Sequence, residues 1–182
     1  MVKIKSDKIP AAVSFLARSG TGKTTLIVKI IKILSGRGYR VSSVKHTDHD
    51  FEADIPGKDS WRHKNAGAFS TMLISKGKSA FFSDIDSSFD TETAAVISKY
   101  FSGSDIVIIE GFKDLKVKKI ELLRKDIEGG LEPRFTNDPN LILVCADEFI
   151  KNLEVPQLNI NDSEKIADFI EDNIIKTFNG QN

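Results

Sequence analysis

The residues with the most chemical content lie near the amino terminus, in the run Ala17-Arg18-Ser19-Gly20-Thr21-Gly22-Lys23-Thr24. It fits the phosphate-loop pattern GxxxxGK[ST] at every fixed position but the first, where Ala17 replaces glycine. Gly20 and Gly22 allow backbone angles and a close approach to an anion that a side chain would block. A helix opening directly after the turn aims its unpaired N–H groups and the positive end of its dipole at the same point. Lys23 is long enough to reach the β- and γ-phosphates of a nucleotide, and the Thr24 hydroxyl is an oxygen ligand suited to Mg²⁺. Ala17 is tolerable because the chain is still extended there. The expectation is a loop that holds nucleotide phosphate.

Such a site calls for a carboxylate at the carboxyl end of a buried neighbouring strand. The run Asp105-Ile106-Val107-Ile108-Ile109-Glu110-Gly111 offers two acids. At roughly 3.3 Å per residue they lie about 16 Å apart, near opposite edges of a sheet. Ligands of open α/β sheets sit at the carboxyl ends of strands, so Glu110 is the candidate and Asp105 begins the strand. Glu110 could hold the Mg²⁺ shell or polarise an attacking water. Between the two sites runs an acidic segment without period, His46–Lys58, in which Asp48, with Asp59 just beyond it, is placed to complete the metal shell. His46 and His49, with Asp48 and Asp50, offer a transition-metal site instead, although no cysteine joins them. His63 is expected on the surface. Asp147, after Val144-Cys145-Ala146, stands where a guanine-reading aspartate would, but the Asn-Lys that usually precedes it is missing.

The elements that position these groups follow from the hydrophobic pattern. Ala11–Ala17 reads as a buried strand entered from Pro10, and Leu26, Ile27, Ile30, Ile31, Ile33 and Leu34 form one broad helical face after the loop. Tyr39–Lys45 alternates like a strand, and Asp59–Ala66 reads as a short helix. Ser70–Ser75 and Ser79–Ser83 read as a hairpin around Lys76-Gly77-Lys78. Thr91–Phe101 reads as a helix, Ile106–Ile109 as a central strand, Ile120–Leu123 as a weaker one and Arg124–Pro139 as a long loop. Leu141–Val144 is another strand, and Ser163–Phe178 an amphipathic helix capped by Asp162 or Ser163. Strands alternating with helices imply an α/β fold, P-loop NTPase-like, with a mostly parallel central sheet and helices on both faces.

The 182 residues suffice for one well-buried domain spanning 1–182, and no repeat or linker divides them. Lys+Arg and Asp+Glu are both 26, a balance that argues against a broad electrostatic grip on nucleic acid. The single cysteine, Cys145, excludes an internal disulfide and suits a reducing cytoplasm. The opening MVKIKSDKIP has no apolar signal core, and no run approaches the roughly 20 apolar residues that cross a bilayer. A soluble, cytoplasmic protein without nucleic-acid or membrane partners is expected.

Four blocks carry a resemblance: A-x-S-G-T-G-K-T-T-L at 17–26, K-H-x-x-H-D-F-x-x-D-x-P-G-K-D-S-x-R at 45–62, A-G-A at 66–68 and D-x-V-x-x-E-G-F-K-D at 105–114. In that order they resemble the MobB family of P-loop proteins of molybdenum-cofactor biosynthesis, over residues 11 to about 125. The resemblance implies a GTP-binding, usually dimeric adaptor with at most weak GTPase activity. It would assist the molybdenum cofactor guanylyltransferase, which attaches GMP to molybdopterin, by helping to deliver GTP or cofactor. By position it implies that Ser19, Gly20, Thr21, Gly22, Lys23, Thr24 and Thr25 bind phosphate, and that Glu110 with Gly111 is the second nucleotide motif. Lys45, His46, His49, Asp50, Asp54, Gly57, Asp59 and Arg62 would form the family's characteristic loop. Arg18 departs from the relatives' pattern; either it is a surface residue or it reaches the partner subunit's phosphates as an arginine finger does. Two rivals share the loop: a small-molecule or nucleotide kinase, with 124–134 as its lid, and a partition-type ATPase. Clustered lid arginines and an acceptor pocket are not evident in the sequence.

Overall fold

The computed structural model describes residues 9–47, 49, 51–52, 54–84 and 97–179. In chain order the elements are β1 (Ala11–Leu16), α1 (Lys23–Gly36), β2 (Val41–Lys45), α2 (Asp59–Asn65), β3 (Ser70–Ser75) and β4 (Lys78–Ser83). Then come β5 (Ile106–Glu110), β6 (Lys118–Leu123), α3 (Lys125–Glu128), β7 (Leu141–Ala146), β8 (Gln157–Asn159) and α4 (Ser163–Ile170). One π-helical turn, Glu171–Ile175, joins α4 to α5 (Lys176–Asn179). Of the helix expected over 91–101, the described residues 97–101 are helical; 91–96 lie outside the described residues.

The chain divides into two compact units, residues 1–46 with 92–182, and residues 47–91. In the first, six strands form one parallel sheet in the order β2-β5-β1-β6-β7-β8, flanked by helices. The expected α/β, P-loop NTPase-like architecture is thus present. Ile106, Val107, Ile108 and Ile109 are all completely buried between β2 and β1, as an unbroken β-branched run in a central parallel strand requires. One sheet face (Val13, Phe15, Ile108, Ile120, Leu122, Leu143) packs on Leu26, Ile27, Ile30 and Leu34 of α1 and on Ile166, Ala167 and Ile170 of α4. On the other face, Leu123, Leu141, Val144 and Ala146 pack against Leu131, Phe135, Ile150, Leu153 and Val155 from connecting segments.

Asp162 caps α4 by accepting the Lys165 amide at 3.1 Å. The helix expected to run unbroken to Phe178 widens at Glu171–Ile175, and that wide turn lets the consecutive Ile174 and Ile175 both be buried. Strand β6 starts two residues before the expected Ile120 and is buried from Lys119 to Leu123. Its apolar pattern is hidden by two buried charges. Lys119 donates to Asp138, and the Glu121 carboxylate accepts the amides of Arg134 at 3.0 Å and Phe135 at 3.3 Å. Burial pushes the Glu121 carboxyl above the usual carboxylate range, while those amides and the Arg134 guanidinium pull the other way. Strand β8 gives almost no hydrophobic signal, because Gln157 and Asn159 are polar, yet it pairs with β7 at the sheet edge.

The second unit contains α2 and the expected antiparallel hairpin, in register from Ser70↔Ser83 to Ser75↔Lys78. Phe69, Met72, Leu73, Ile74 and Phe81 are 44–78% exposed there.

Candidate functional site

Strand β1 delivers the chain to the glycine loop at the carboxyl edge of the sheet. Gly20 and Gly22 have φ of +83° and +89°, a left-handed backbone that β-carbon-bearing residues resist. Thr21, fully buried between them, donates its hydroxyl to the Arg18 carbonyl at 2.9 Å and curls the loop. The ladder of α1 begins only with the Leu26 amide on the Gly22 carbonyl at 3.0 Å. Among the described residues, the amides of Lys23, Thr24 and Thr25 have no backbone acceptor, no side chain caps α1, and its first turn carries no acid. The positive end of a 14-residue helix is therefore unmet by the chain itself, which fits an anion such as a nucleotide phosphate.

Beside it, Thr24 Oγ1 donates to Glu110 Oε1 at 2.8 Å, and Lys45 Nζ lies 3.7 Å from the same oxygen. Register explains the convergence: Glu110 ends β5 opposite Phe15 of β1 and Lys45 of β2. A hydroxyl and a carboxylate meeting beside the glycine loop form a hard-oxygen donor set whose chemistry fits Mg²⁺. The turn after Glu110 is held from several sides. The Gly111 amide donates to Phe15 O and the His46 amide to Glu110 O, both at 3.0 Å, and Ser14 Oγ donates to Gly111 O. Gly111 and Phe112 both have positive φ, +86° and +68°. For Phe112 that is a strained conformation, held by the stacking of its ring on His46 with centroids 4.3 Å apart and planes 6° from parallel.

The structure brings Lys23, Thr24, Thr25, Glu110 and Gly111 to one end of the sheet. Asp105 lies at the other end, accepting the Arg40 amide at 2.7 Å, as its reading as a strand-start residue requires. Asp147 follows β7 and accepts the Lys125 amide at 3.2 Å, beside a shallow depression of about 200 Å³ lined by Glu148, Phe149 and Asn159. Ser19 and Arg18 are exposed on the loop. Asp59 belongs to the second unit, where it stands exposed 4.0 Å from Arg62, and Asp48 lies outside the described residues, as does Asp50. Among the described residues no three His, Cys, Asp or Glu side chains converge on a metal position, and no helix is long and apolar enough to cross a membrane. The sequence places Arg124 at the start of the long loop 124–139 and, in the kinase alternative, of a lid over 124–134, without a partner for its side chain. Its guanidinium reaches the Thr21 carbonyl at 3.0 Å, and the available signal was its place directly after a strand on the ligand side of the sheet.

A glycine loop between the first strand and first helix, with an acid closing the adjacent central strand, makes this chain one of the P-loop NTPase-like α/β proteins. Residues 12–147 match the family described as MobB, molybdopterin guanine dinucleotide synthesis protein B, and the chain belongs to that family. It is 38% identical over 158 residues to the molybdopterin-guanine dinucleotide biosynthesis adapter protein of Escherichia coli K12, covering 86% of this chain and 89% of that one. The corresponding adapter protein of Haemophilus influenzae is 35% identical over 169 residues, covering 89% and 88%. Among solved structures, a crystal structure of molybdopterin-guanine biosynthesis protein B superposes with a TM-score of 0.70 at 29% identity, covering 88% of this chain and 96% of that one.

Proposed function

We propose that this chain is a GTP-binding adaptor in the biosynthesis of molybdopterin guanine dinucleotide, assisting the guanylyltransferase and hydrolysing GTP weakly at most. The observation that carries the nucleotide-binding part is the Thr24–Glu110 hydrogen bond at the open amino terminus of α1. The adaptor role rests on family membership and the names of the relatives. In this reading the loop amides from Ser19 to Thr25 and the Lys23 ammonium bind the phosphates. Thr24 and Glu110 hold Mg²⁺, which when bound neutralises phosphate charge. Glu110 also orients water in whatever hydrolysis occurs, and the loop amides with Lys23 spread the charge developing on the γ-phosphate. Asp147 reads the guanine edge from the end of β7, exchanging the Lys125 amide for the base. The chain works as a homodimer, for which the exposed apolar side chains of the β3–β4 hairpin are the supporting observation, and Arg18 on the exposed rim of the loop reaches the partner's phosphates.

The test is calorimetry with GTP and ATP, each with Mg²⁺ and with EDTA, followed by guanylyl-transfer assays with the partner enzyme. Tight, magnesium-dependent GTP binding and stimulated transfer are expected. Lys23→Ala should abolish triphosphate binding while leaving the melting temperature unchanged. Equal affinity for ATP would remove the guanine reading, and phosphoryl transfer to an added metabolite would replace the adaptor with a kinase.

A further inference from the structure

Arg124, the first residue after β6, turns its side chain back across the phosphate loop. Its Nε donates to the Thr21 carbonyl at 3.0 Å, and its Nη2 donates to Asn161 Oδ1 at 2.9 Å. Thr21 and Gly22 share one peptide plane, and in a trans peptide the carbonyl and the following N–H point in opposite directions. Fixing the Thr21 carbonyl therefore fixes the direction of the Gly22 N–H. The same short segment backs the loop a second time, since a β-carbon on Gly20 would come 3.8 Å from Ile127 Cδ1. On its far side the Lys125 amide bonds to Asp147, and Asn161 lies just past β8.

We propose that Arg124 is a positioning residue for phosphate binding, which sets the Thr21–Gly22 peptide for the anion and anchors it through Asn161 to the segment after β8. The proposal rests on the reading of the loop as a nucleotide site. A guanidinium suits the task because its planar fork makes two directed bonds in fixed geometry, whereas an ammonium is a point charge. The role lies in aiming a loop amide, so it applies to any polyphosphate whatever its base.

The test is titration of the full chain with inorganic tripolyphosphate and, separately, with GTP, both with Mg²⁺. Arg124→Ala is expected to weaken both ligands about tenfold, the scale of one charge-assisted hydrogen bond. Arg124→Lys should be nearly as weak, and Asn161→Ala intermediate. Lys176→Ala, which removes the pairs of an exposed ammonium with Glu171 and Asp172 in the carboxyl-terminal helical segment, should bind as wild type. A failure of the wild type to bind either ligand overturns both the nucleotide reading and this inference. Wild-type binding with an unaltered Arg124→Ala overturns this inference alone, and so does Arg124→Lys binding like the wild type. A loss confined to GTP means that Arg124 serves the nucleoside instead, which overturns it too. Should Arg124→Ala fail to fold, Arg124→Lys and Asn161→Ala decide in its place.

Discussion

Replacing Thr24 by valine removes one hydroxyl and almost no volume, so its effect isolates the bond to Glu110. Net hydrogen bonds to charged acceptors are worth about 1.5–3 kcal/mol. The Glu110 side chain is 14% exposed and has Lys45 Nζ at 3.7 Å in partial compensation, which places the loss near the lower bound, about 1.5 kcal/mol. Threonine and valine have similar helix propensities, so α1 itself contributes little to the difference. For a chain of this size, roughly 2–4 °C per kcal/mol gives a fall in melting temperature of about 3–6 °C. Glu110→Gln keeps a carbonyl oxygen to accept the Thr24 hydroxyl but discards the charge, so it should lose less stability, under about 1 kcal/mol. Both variants should lose the gain in GTP affinity that Mg²⁺ confers on the wild type. The assay is a thermal melt without ligand, then calorimetry across a magnesium series. A Thr24→Val protein that melts with the wild type and keeps its magnesium dependence would refute the assignment of this pair.

Three further outcomes follow from other parts of the molecule. Glu121 has a carboxyl pKa raised by burial, so its contribution to stability is greatest below the unfolded carboxyl range and is lost as pH rises through its folded value. Glu121→Gln should therefore gain on the wild type as pH rises from about 4 to about 7, read by urea denaturation at each pH; a constant difference would mean no such proton linkage. Ile108→Ala, at the centre of the sheet, should cost about 2–5 kcal/mol in urea unfolding, and a loss under about 1 kcal/mol would show that the site collapses around the change. Ile74→Lys on the exposed hairpin should convert a dimer to a monomer in sedimentation without altering the circular dichroism; a persistent dimer would place the interface elsewhere.

The parts of the fold readable in the sequence were those where one physical rule dominates. Ile106–Ile109 could only be a strand covered on both faces, and the glycines at 20 and 22 could only mark a turn that ordinary residues resist. Thr24 and Glu110 were legible as partners because a loop at the head of a helix and an acid ending a central strand must meet at the same sheet edge. Strand β6 was only half legible, since Lys119 and Glu121 look like solvent-facing residues until Asp138 and the Arg134 and Phe135 amides are placed beside them. Arg124 was illegible as a loop-binding residue for a related reason: its partners, Thr21 and Asn161, lie 103 and 37 residues away in sequence. No local pattern encodes such a contact. The π-helical turn escaped because a helical period does not foretell one extra residue per turn.

Lys45 and His46 are the last residues of the first unit before Thr47 opens the second, and both are fastened to the turn that carries Glu110: one by its ammonium, the other by an amide bond to Glu110 O and a ring laid on Phe112. The tether to the second unit thus leaves from the doorstep of the carboxylate. Whatever engages the Glu110 carboxylate does so one residue along the ladder from that exit, since Lys45 is its register partner on β2.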